Sequence, residues 1–457
     1  MTPRGRPTLP WVLLAFALLV VPAILAGGGG TSQAADFREY HLLEIRRLSA
    51  GWPGPDLRDS LSSTTPGFHL VLSVADRLGA GVTSIRLLGS LAGLAAWLVA
   101  WRVACRWMPV HTAALTAAPL ALSPYLVASS VWCTTEAAAV ALASATMGMA
   151  LLLRPSATVA ATLGVLGAAT VLVRQILVWA CVPALLAMLF GDSAACRRRR
   201  LAWALVTVAP ATACVTAFLV IWGGPVPPRF LAFHQSMGNP AAPVVVLAVF
   251  GVWGGLLLPG LWRSAEPGPR RLALLASVIA VLLGATVETG YRKVLPPEAQ
   301  RAGTGFEKTG RVLPADVVVG GHELGRWGGP LWDTARSLPT VQGRSVAVVG
   351  SAAVGGAVLA LLWSAAQLRG RGRQAAWLLA AVAGLAVTQS ANAQTFQRYF
   401  DPWVLLVIGW LVAMGWSSSS RGSGWLRAGL TALALVQLAM TAAGVLMPAM
   451  RGPPLLG

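Results

Sequence analysis

The sequence is poor in charged residues, and this excludes most soluble folds. Only 11% of its 457 residues are charged, whereas about 25% is usual in soluble domains, and 56% are hydrophobic. Segments rich in apolar residues must satisfy their backbone hydrogen bonds internally when they lie in lipid. The composition therefore predicts an all-α integral membrane protein.

Carboxylates and lysines are the scarcest charged residues. The chain has 16 Asp and Glu against 35 Lys and Arg, a net charge of +19, and its only lysines are Lys293 and Lys308. A positive excess can indicate nucleic-acid binding, but the arginines are scattered between apolar segments, where they set the orientation of membrane helices. We therefore expect contact with membrane lipids and no nucleic-acid partner.

Cysteine is also rare, and its spacing is irregular. The five cysteines are Cys105, Cys133, Cys181, Cys196 and Cys214. Neither a disulfide framework nor a zinc site is indicated. The histidines share no metal-ligand spacing either: His41, His69, His234 and His322. We predict no cofactor, although a divalent cation held by Asp36, Glu39 and His41 stays open because carboxylate sites need no strict motif.

Long apolar runs, in contrast, are plentiful. A helix needs about 20 apolar residues to cross the hydrocarbon core, or fewer if it is kinked. We predict about 13 transmembrane helices in a single polytopic domain over residues 1–457. They cover residues 10–27, 83–104, 111–130, 135–153, 157–172, 175–190, 201–222, 241–262, 272–289, 345–367, 374–391, 399–416 and 424–447. The fifth and sixth can also be one helix interrupted at Arg174.

The arginines predict the orientation. Arg4 and Arg6 precede the first span, which places the N-terminus in the cytoplasm of a multi-pass cell-membrane protein. Every short inner loop is then basic, with Arg102 and Arg106, Arg154, Arg197–Arg200, Arg263, Arg270 and Arg271, Arg369, Arg371 and Arg373, and Arg421 and Arg427. Two large loops, 28–82 and 290–344, face outward. The first span can also be a signal peptide cleaved near residues 32–35, and Asp36 is outside in either case.

The few carboxylates gather on the first outer loop, where Asp36, Glu39 and Glu44 follow the first span. A helix over residues 36–50 would lie on the membrane surface. Its apolar side would consist of Phe37, His41, Leu42, Ile45 and Leu48. Its polar side would consist of Asp36, Glu39, Tyr40, Arg46 and Arg47. These carboxylates can be an ordinary solvated face paired with the neighbouring arginines, or an active site.

Transfer of a sugar requires a base for the acceptor hydroxyl, and a positioned carboxylate can serve. We expect Asp36 and Glu39 to be the candidates. A leaving phosphate needs cations, and arginine binds phosphate through two parallel hydrogen bonds. The candidates lie at predicted outer ends of spans: Arg86, Arg174 and Arg398. Arg86 and Arg398 can instead extend to lipid headgroups. Glu136 and Glu288 can be ordinary helix-end carboxylates or the ionisable groups of a transporter.

The order of these pieces resembles glycosyltransferases of the GT-C class. More narrowly, it resembles the family of dolichyl-phosphate-glucose-dependent alpha-1,2-glucosyltransferases. The matching pieces are Asp36 with Glu39-Tyr40-His41, Thr64-Thr65-Pro66-Gly67-Phe68, Arg86, Arg174-Gln175 with Trp179, and Arg398-Tyr399-Phe400. The adjacent Asp-Glu pair of that family is split here by Phe37 and Arg38.

The resemblance implies an inverting transfer of a hexose from a polyprenyl-phosphate donor to an extracytoplasmic glycan or lipid-linked acceptor. It implies that Asp36 or Glu39 is the base and that arginines hold the phosphate. We expect supporting roles for His41, Thr65, Pro66, Gln175, Tyr399 and His234. Two other interpretations stay open. One is a lipid or solute transporter, and the other is a polysaccharide ligase or polymerase that uses the late outer loop with Arg301, Arg311, His322, Arg326 and Arg336.

Overall fold

The computed structural model describes residues 8–230, 238–289, 327–392, 395–417, 422–452 and 455. Its regular structure is almost entirely helical, as the composition predicts. The α-helices are Thr8–Ala26, Ser32–Asp36, Leu42–Gly51, Gly67–Arg77, Val82–Ala104, Val110–Ala121, Pro124–Trp132, Thr135–Leu152, Ala157–Val173, Val182–Phe190, Arg197–Trp222, Ala242–Gly254, Leu258–Ser264, Pro267–Thr286, Pro330–Arg336, Val346–Leu368, Gly372–Ser390, Asp401–Gly415, Ser423–Thr441 and Met447–Arg451. The described strands are two residues long: Trp327–Gly328, Thr340–Val341, Arg344–Ser345 and Thr395–Phe396.

Eight helical segments within the described ranges are long and apolar enough to cross a membrane. They are Leu9–Ala26, Val82–Ala104, Thr135–Leu152, Arg197–Trp222, Ala242–Ser264, Pro267–Thr286, Val346–Leu368 and Ser423–Arg451. A ninth results if Val110–Ala121 and Pro124–Trp132, bent by 70°, form one span. Three further apolar helices have fewer than 18 residues. Each predicted span coincides with helical structure. Length and composition support a membrane protein with eight or nine candidate spans, and they do not confirm the count of 13.

Two glycines, Gly251 and Gly355, allow two helices to approach closely. A Cβ on Gly355 would lie 1.9 Å from the backbone oxygen of Leu247, and one on Gly251 would lie 1.7 Å from that of Ser351. Both distances are too short for any side chain, so these positions admit glycine alone. Small residues that let two backbones approach are typical of helix pairs in membranes. This contact joins the helix Ala242–Gly254 to Val346–Leu368.

The loop predicted to be the first outer one, residues 28–82, folds into helices that turn an apolar side inward. Phe37, Ile45 and Leu48 are fully buried, which confirms the predicted apolar side. Glu44 is also fully buried, and it accepts hydrogen bonds from Arg47 at 2.8 Å, from the hydroxyl of Ser60 at 3.0 Å and from the backbone N–H of Leu61 at 2.9 Å. Burial acts to raise the pKa of Glu44, but these bonds hold it below its usual value. Glu44 therefore fastens the segment at Ser60 and Leu61 to the helix Leu42–Gly51.

The end of the second large predicted loop packs against residues 395–401. The strand Trp327–Gly328 pairs in parallel with Thr395–Phe396. The backbone N–H of Leu331 donates to the side-chain oxygen of Gln397 at 3.0 Å, and the amide of Gln397 donates to Asp401 at 2.7 Å. A short 3₁₀ turn, Gln397–Tyr399, is thereby held on both sides. Arg398 and Tyr399 project from this turn.

Candidate functional site

A break between two apolar helices places Arg174. The helix Ala157–Val173 ends, Arg174 is extended with φ −152° and ψ 115°, and a 3₁₀ turn runs over Gln175–Cys181. The interruption lets the guanidinium reach a neighbouring helix. Its Nη1 donates to Oε1 of Glu136 at 3.0 Å.

Four charged residues from distant parts of the chain meet here, and we call Asp36, Glu136, Arg174 and Arg398 the carboxylate–arginine cluster. Arg398 donates through Nη1 to Asp36, and its Nε lies 4.0 Å from Oε1 of Glu136. The hydroxyl of Thr134 donates to Oε2 of Glu136 at 2.7 Å. Glu136 therefore links the two arginines, and Arg398 links the two carboxylates.

The cluster is partly open. The side chains of Glu136 and Arg174 retain 12% and 14% of their exposure, and those of Asp36 and Arg398 retain 28% and 25%. Tyr399 packs beneath both guanidiniums, with its ring centroid 5.1 Å from Cζ of Arg174 and 5.4 Å from Cζ of Arg398. The ring attracts cations through its face and fixes their planes. The arginines are thus positioned while still accessible to a ligand.

Two adjoining cavities open beside the cluster. The smaller, of about 350 Å³ including space open to solvent, is lined by Glu136, Arg174, Arg398 and Tyr399 together with Gln389 and Asn392. The larger, a groove of about 1020 Å³ including space open to solvent, shares Arg174, Asn392 and Tyr399 with it. The groove continues along apolar side chains: Val215, Phe218, Leu219, Trp222 and Val226. Such a surface suits a ligand with an anionic head and an apolar body.

The predicted supporting residues Thr65, Pro66 and Gln175 hold the first loop against the break at Arg174. Thr65 donates through its hydroxyl to the backbone oxygen of Val171 at 2.5 Å, and its N–H donates to Gln175 at 3.1 Å. The amide of Gln175 donates to the backbone oxygen of Ser63 at 2.9 Å. Pro66 precedes the helix Gly67–Arg77. These bonds fix the loop that carries Asp36 relative to the helix end that carries Arg174.

Two predicted site residues lie elsewhere. Glu39 is half exposed and pairs with its neighbour Arg38 at 3.0 Å. Arg86 is buried and donates to the backbone oxygens of Val131 at 2.9 Å and Ile24 at 3.2 Å, and it lines neither cavity. The structure therefore does not bring Glu39 or Arg86 into the cluster. His234 lies outside the described residues.

Glu136 was not among the residues predicted for the site, although the sequence contains a signal for it. Glu136 is a rare carboxylate at the same predicted outer level as Asp36, Arg174 and Arg398. The three residues of the divalent-cation alternative have other partners, because Asp36 contacts Arg398, Glu39 contacts Arg38 and His41 contacts His69. Within the described ranges, no three His, Cys, Asp or Glu side chains are arranged to hold a metal.

A second unforeseen feature is a buried histidine pair. Nδ1 of His41 lies 2.7 Å from Nε2 of His69, and the two residues are 9% and 1% exposed. Burial lowers the pKa of His41 to about 4, and Glu136 opposes this shift whereas Arg398 and Arg174 add to it. Burial and the neighbouring His41 lower the pKa of His69 to about 3. Both rings are therefore neutral at pH 7.

In comparisons with known proteins, no family model, curated protein or solved structure matches this chain.

Proposed function

We propose that this protein is a membrane glycosyltransferase of GT-C type that moves a hexose from a polyprenyl-phosphate donor to an extracytoplasmic glycan or lipid-linked acceptor. The main support is the position of the carboxylate–arginine cluster at the polar end of an apolar groove. A polyprenyl-phosphate sugar has an anionic phosphate next to a long apolar tail. Arg174 and Arg398 suit the phosphate, and the groove suits the first part of the tail.

The proposed reaction is a direct displacement with inversion. The acceptor oxygen forms a bond to the anomeric carbon while the bond from that carbon to the phosphate oxygen breaks. The phosphate leaves with the electron pair and stays paired with Arg174 and Arg398. Asp36 takes the hydroxyl proton, and Glu136 keeps the arginines in place. In this assignment Arg86 fastens the first helix through Ile24, and Glu39 is a surface residue of the loop.

We also propose that all thirteen predicted spans cross the cell membrane, with the N-terminus in the cytoplasm and the cluster outside. Residues predicted to lie on the same side of the membrane contact one another, and this supports the proposed orientation. Asp36 belongs to the first predicted outer loop, Glu136, Arg174 and Arg398 belong to predicted outer ends of spans, and the four side chains meet. On the predicted inner side, Arg373 pairs with Asp192, and Arg200 donates to the backbone oxygen of Leu189 at 3.2 Å.

Replacement of the base tests the proposal. We expect Asp36→Asn to lower the rate of transfer ~10²-fold to 10⁴-fold, because a positioned base contributes a rate factor of this size. Glu39→Gln is the matched control, and it should keep the wild-type rate because Glu39 lies outside the cluster. The rate is measured in membrane vesicles with radiolabelled polyprenyl-phosphate glucose and endogenous acceptors, and melting temperature reports folding. Full activity of well-folded Asp36→Asn would contradict the catalytic assignment.

Assays in the same vesicles distinguish the proposed glycosyltransferase from a transporter and from a ligase. A transporter would move labelled lipid or sugar across the bilayer without forming a glycosidic bond. A ligase that uses the late loop would lose activity with His322→Ala or Arg326→Ala and keep it with Asp36→Asn. We expect bond formation that depends on Asp36.

A further inference from the structure

The segment Trp327–Arg336, at the end of the second large predicted loop, contacts the turn that carries Arg398, and we call it the docking segment. The backbone of Gly328 pairs with that of Phe396 in a parallel bridge. The ring centroid of Phe396 lies 5.3 Å from Cζ of Arg398, and aromatic rings attract guanidiniums through their faces. The docking segment therefore holds the backbone of a residue that touches an arginine of the carboxylate–arginine cluster.

The side chain of Gln397 joins the docking segment to the next helix. Gln397 is fully buried, and its Oε1 accepts a hydrogen bond from the backbone N–H of Leu331 at 3.0 Å. Its Nε2 donates to Oδ2 of Asp401 at 2.7 Å. Asp401 is also fully buried, and it is the first residue of the helix Asp401–Gly415. Because both ends of the amide are bonded, the position of the Gln397 side chain is fixed on two sides.

The turn Gln397–Tyr399 transmits this position to Arg398. It is a 3₁₀ turn, in which three residues complete one turn, so successive side chains point about 120° apart. With Gln397 directed into the interior, Arg398 is directed away from it and donates to Asp36. Rotation of the turn would carry the guanidinium away from Asp36. The bonds of Gln397 oppose such a rotation.

Gly329 allows the docking segment to approach this closely. Its φ is 121°, a backbone conformation that favours glycine. A Cβ at this position would lie 2.7 Å from Cβ of Gln397 and 2.8 Å from the hydroxyl oxygen of Tyr125. Any larger residue would therefore displace the side chain of Gln397 or the docking segment itself.

We propose that the docking segment is part of the donor site, and that Gln397 is the positioning residue through which it holds Arg398 toward the donor phosphate. This inference rests on the proposed glycosyl transfer. A guanidinium binds phosphate through two parallel hydrogen bonds only when its plane and direction match the phosphate oxygens. The two hydrogen bonds of Gln397 keep the turn in the orientation that this requires.

Gln397→Leu removes both hydrogen bonds and keeps a side chain of similar length. Its affinity for a long-chain polyprenyl phosphate, measured with protein in lipid nanodiscs, should fall about 10-fold to 100-fold, the factor that corresponds to one hydrogen bond with a charged partner. In an Arg398→Ala background the same substitution should cause no further loss, because Gln397 acts through Arg398. A purely structural role would lower the melting temperature and leave the affinity of the folded protein unchanged.

Gly329→Ala tests the same contact from the docking segment, and it serves also if Gln397→Leu does not fold. Its affinity for polyprenyl phosphate should fall about 10-fold, because a displaced Gln397 misplaces Arg398. Gly343→Ala is the matched control. Gly343 also has a positive φ, 75°, and a Cβ there comes no closer than 3.6 Å to Glu288. The control variant shares the backbone strain without the contact with Gln397, so it should bind as the wild type does.

The outcomes separate failure of this inference from failure of the proposed function. Three results would overturn the positioning role alone: wild-type affinity in folded Gln397→Leu, additive losses with Arg398→Ala, or equal affinities of Gly329→Ala and Gly343→Ala. Wild-type protein that neither binds polyprenyl phosphate nor transfers the sugar would overturn both proposals.

Discussion

At the residue scale, Glu136 determines the geometry of the site because it lies between two arginines. Replacing Glu136 by Gln removes the negative charge, and the guanidiniums of Arg174 and Arg398 then repel each other. We expect a loss of about 1–3 kcal/mol in stability, the usual cost when a buried charged group loses its partner. Glu288→Gln is the matched control, since Glu288 is an exposed carboxylate near a helix end.

The measurement for Glu136→Gln is the melting temperature in detergent, followed by binding of polyprenyl phosphate. The melting temperature should fall for Glu136→Gln and not for Glu288→Gln. Equal melting temperatures for the two variants would show that Glu136 does not stabilise the arginines.

The histidine pair predicts a pH dependence of stability. His41 and His69 have pKa values of about 4 and about 3 in the folded protein, below the ordinary value of 6.5. As pH falls below 6.5, the unfolded chain binds protons that the folded protein does not, so stability decreases down to about pH 3. The double variant His41→Phe/His69→Phe should show a shallower decline in melting temperature between pH 6.5 and 4. An identical decline would exclude the pair as its source.

Only part of the site could be predicted residue by residue. Asp36 could be proposed from its place on the first predicted outer loop, and Arg174 and Arg398 from their places at predicted outer ends of spans. Tyr399 was proposed from the family resemblance. The partners of these residues could not be predicted, because pairing depends on the direction of side chains on separate helices. His69 gave no signal at all, since its contact with His41 depends on how two surface helices pack.

At the element scale, close helix packing through glycine predicts a steric effect. Gly355→Leu places a side chain where a Cβ already lies 1.9 Å from the backbone of Leu247. We expect destabilisation of at least about 1–3 kcal/mol, the usual cost of overpacking. Gly350→Leu on the same helix is the control because a Cβ there meets nothing within 4 Å. Similar melting temperatures for both variants would contradict this packing.

The sequence located the helices better than it described their interruptions. Apolar runs mark each predicted span because lipid requires them. The interruption at Arg174 was predicted from the charge between two apolar runs, but the 3₁₀ conformation that follows it and the π turn at Phe37–His41 leave no mark in hydropathy. Both turns place site residues, so the elements that matter most for chemistry were the least predictable.

At the scale of the whole molecule, the proposed orientation is open to labelling. Cys196 is exposed and lies in a predicted inner loop. With Cys196 as the only cysteine, a membrane-impermeant maleimide should label the protein only after intact cells are opened. A variant with Ser32→Cys as the only cysteine should react in intact cells, because Ser32 is exposed in the predicted outer loop. The reverse pattern would invert the proposed topology.

The pairing of Asp36 with Arg398 has a consequence for the order of events. Two carboxylates and two guanidiniums make the carboxylate–arginine cluster electroneutral, so it needs no counter-ion. If the proposed donor binds, its phosphate competes with Asp36 for Arg398 and displaces the carboxylate from its partner. Asp36 then becomes free to act as a base only while the donor is bound.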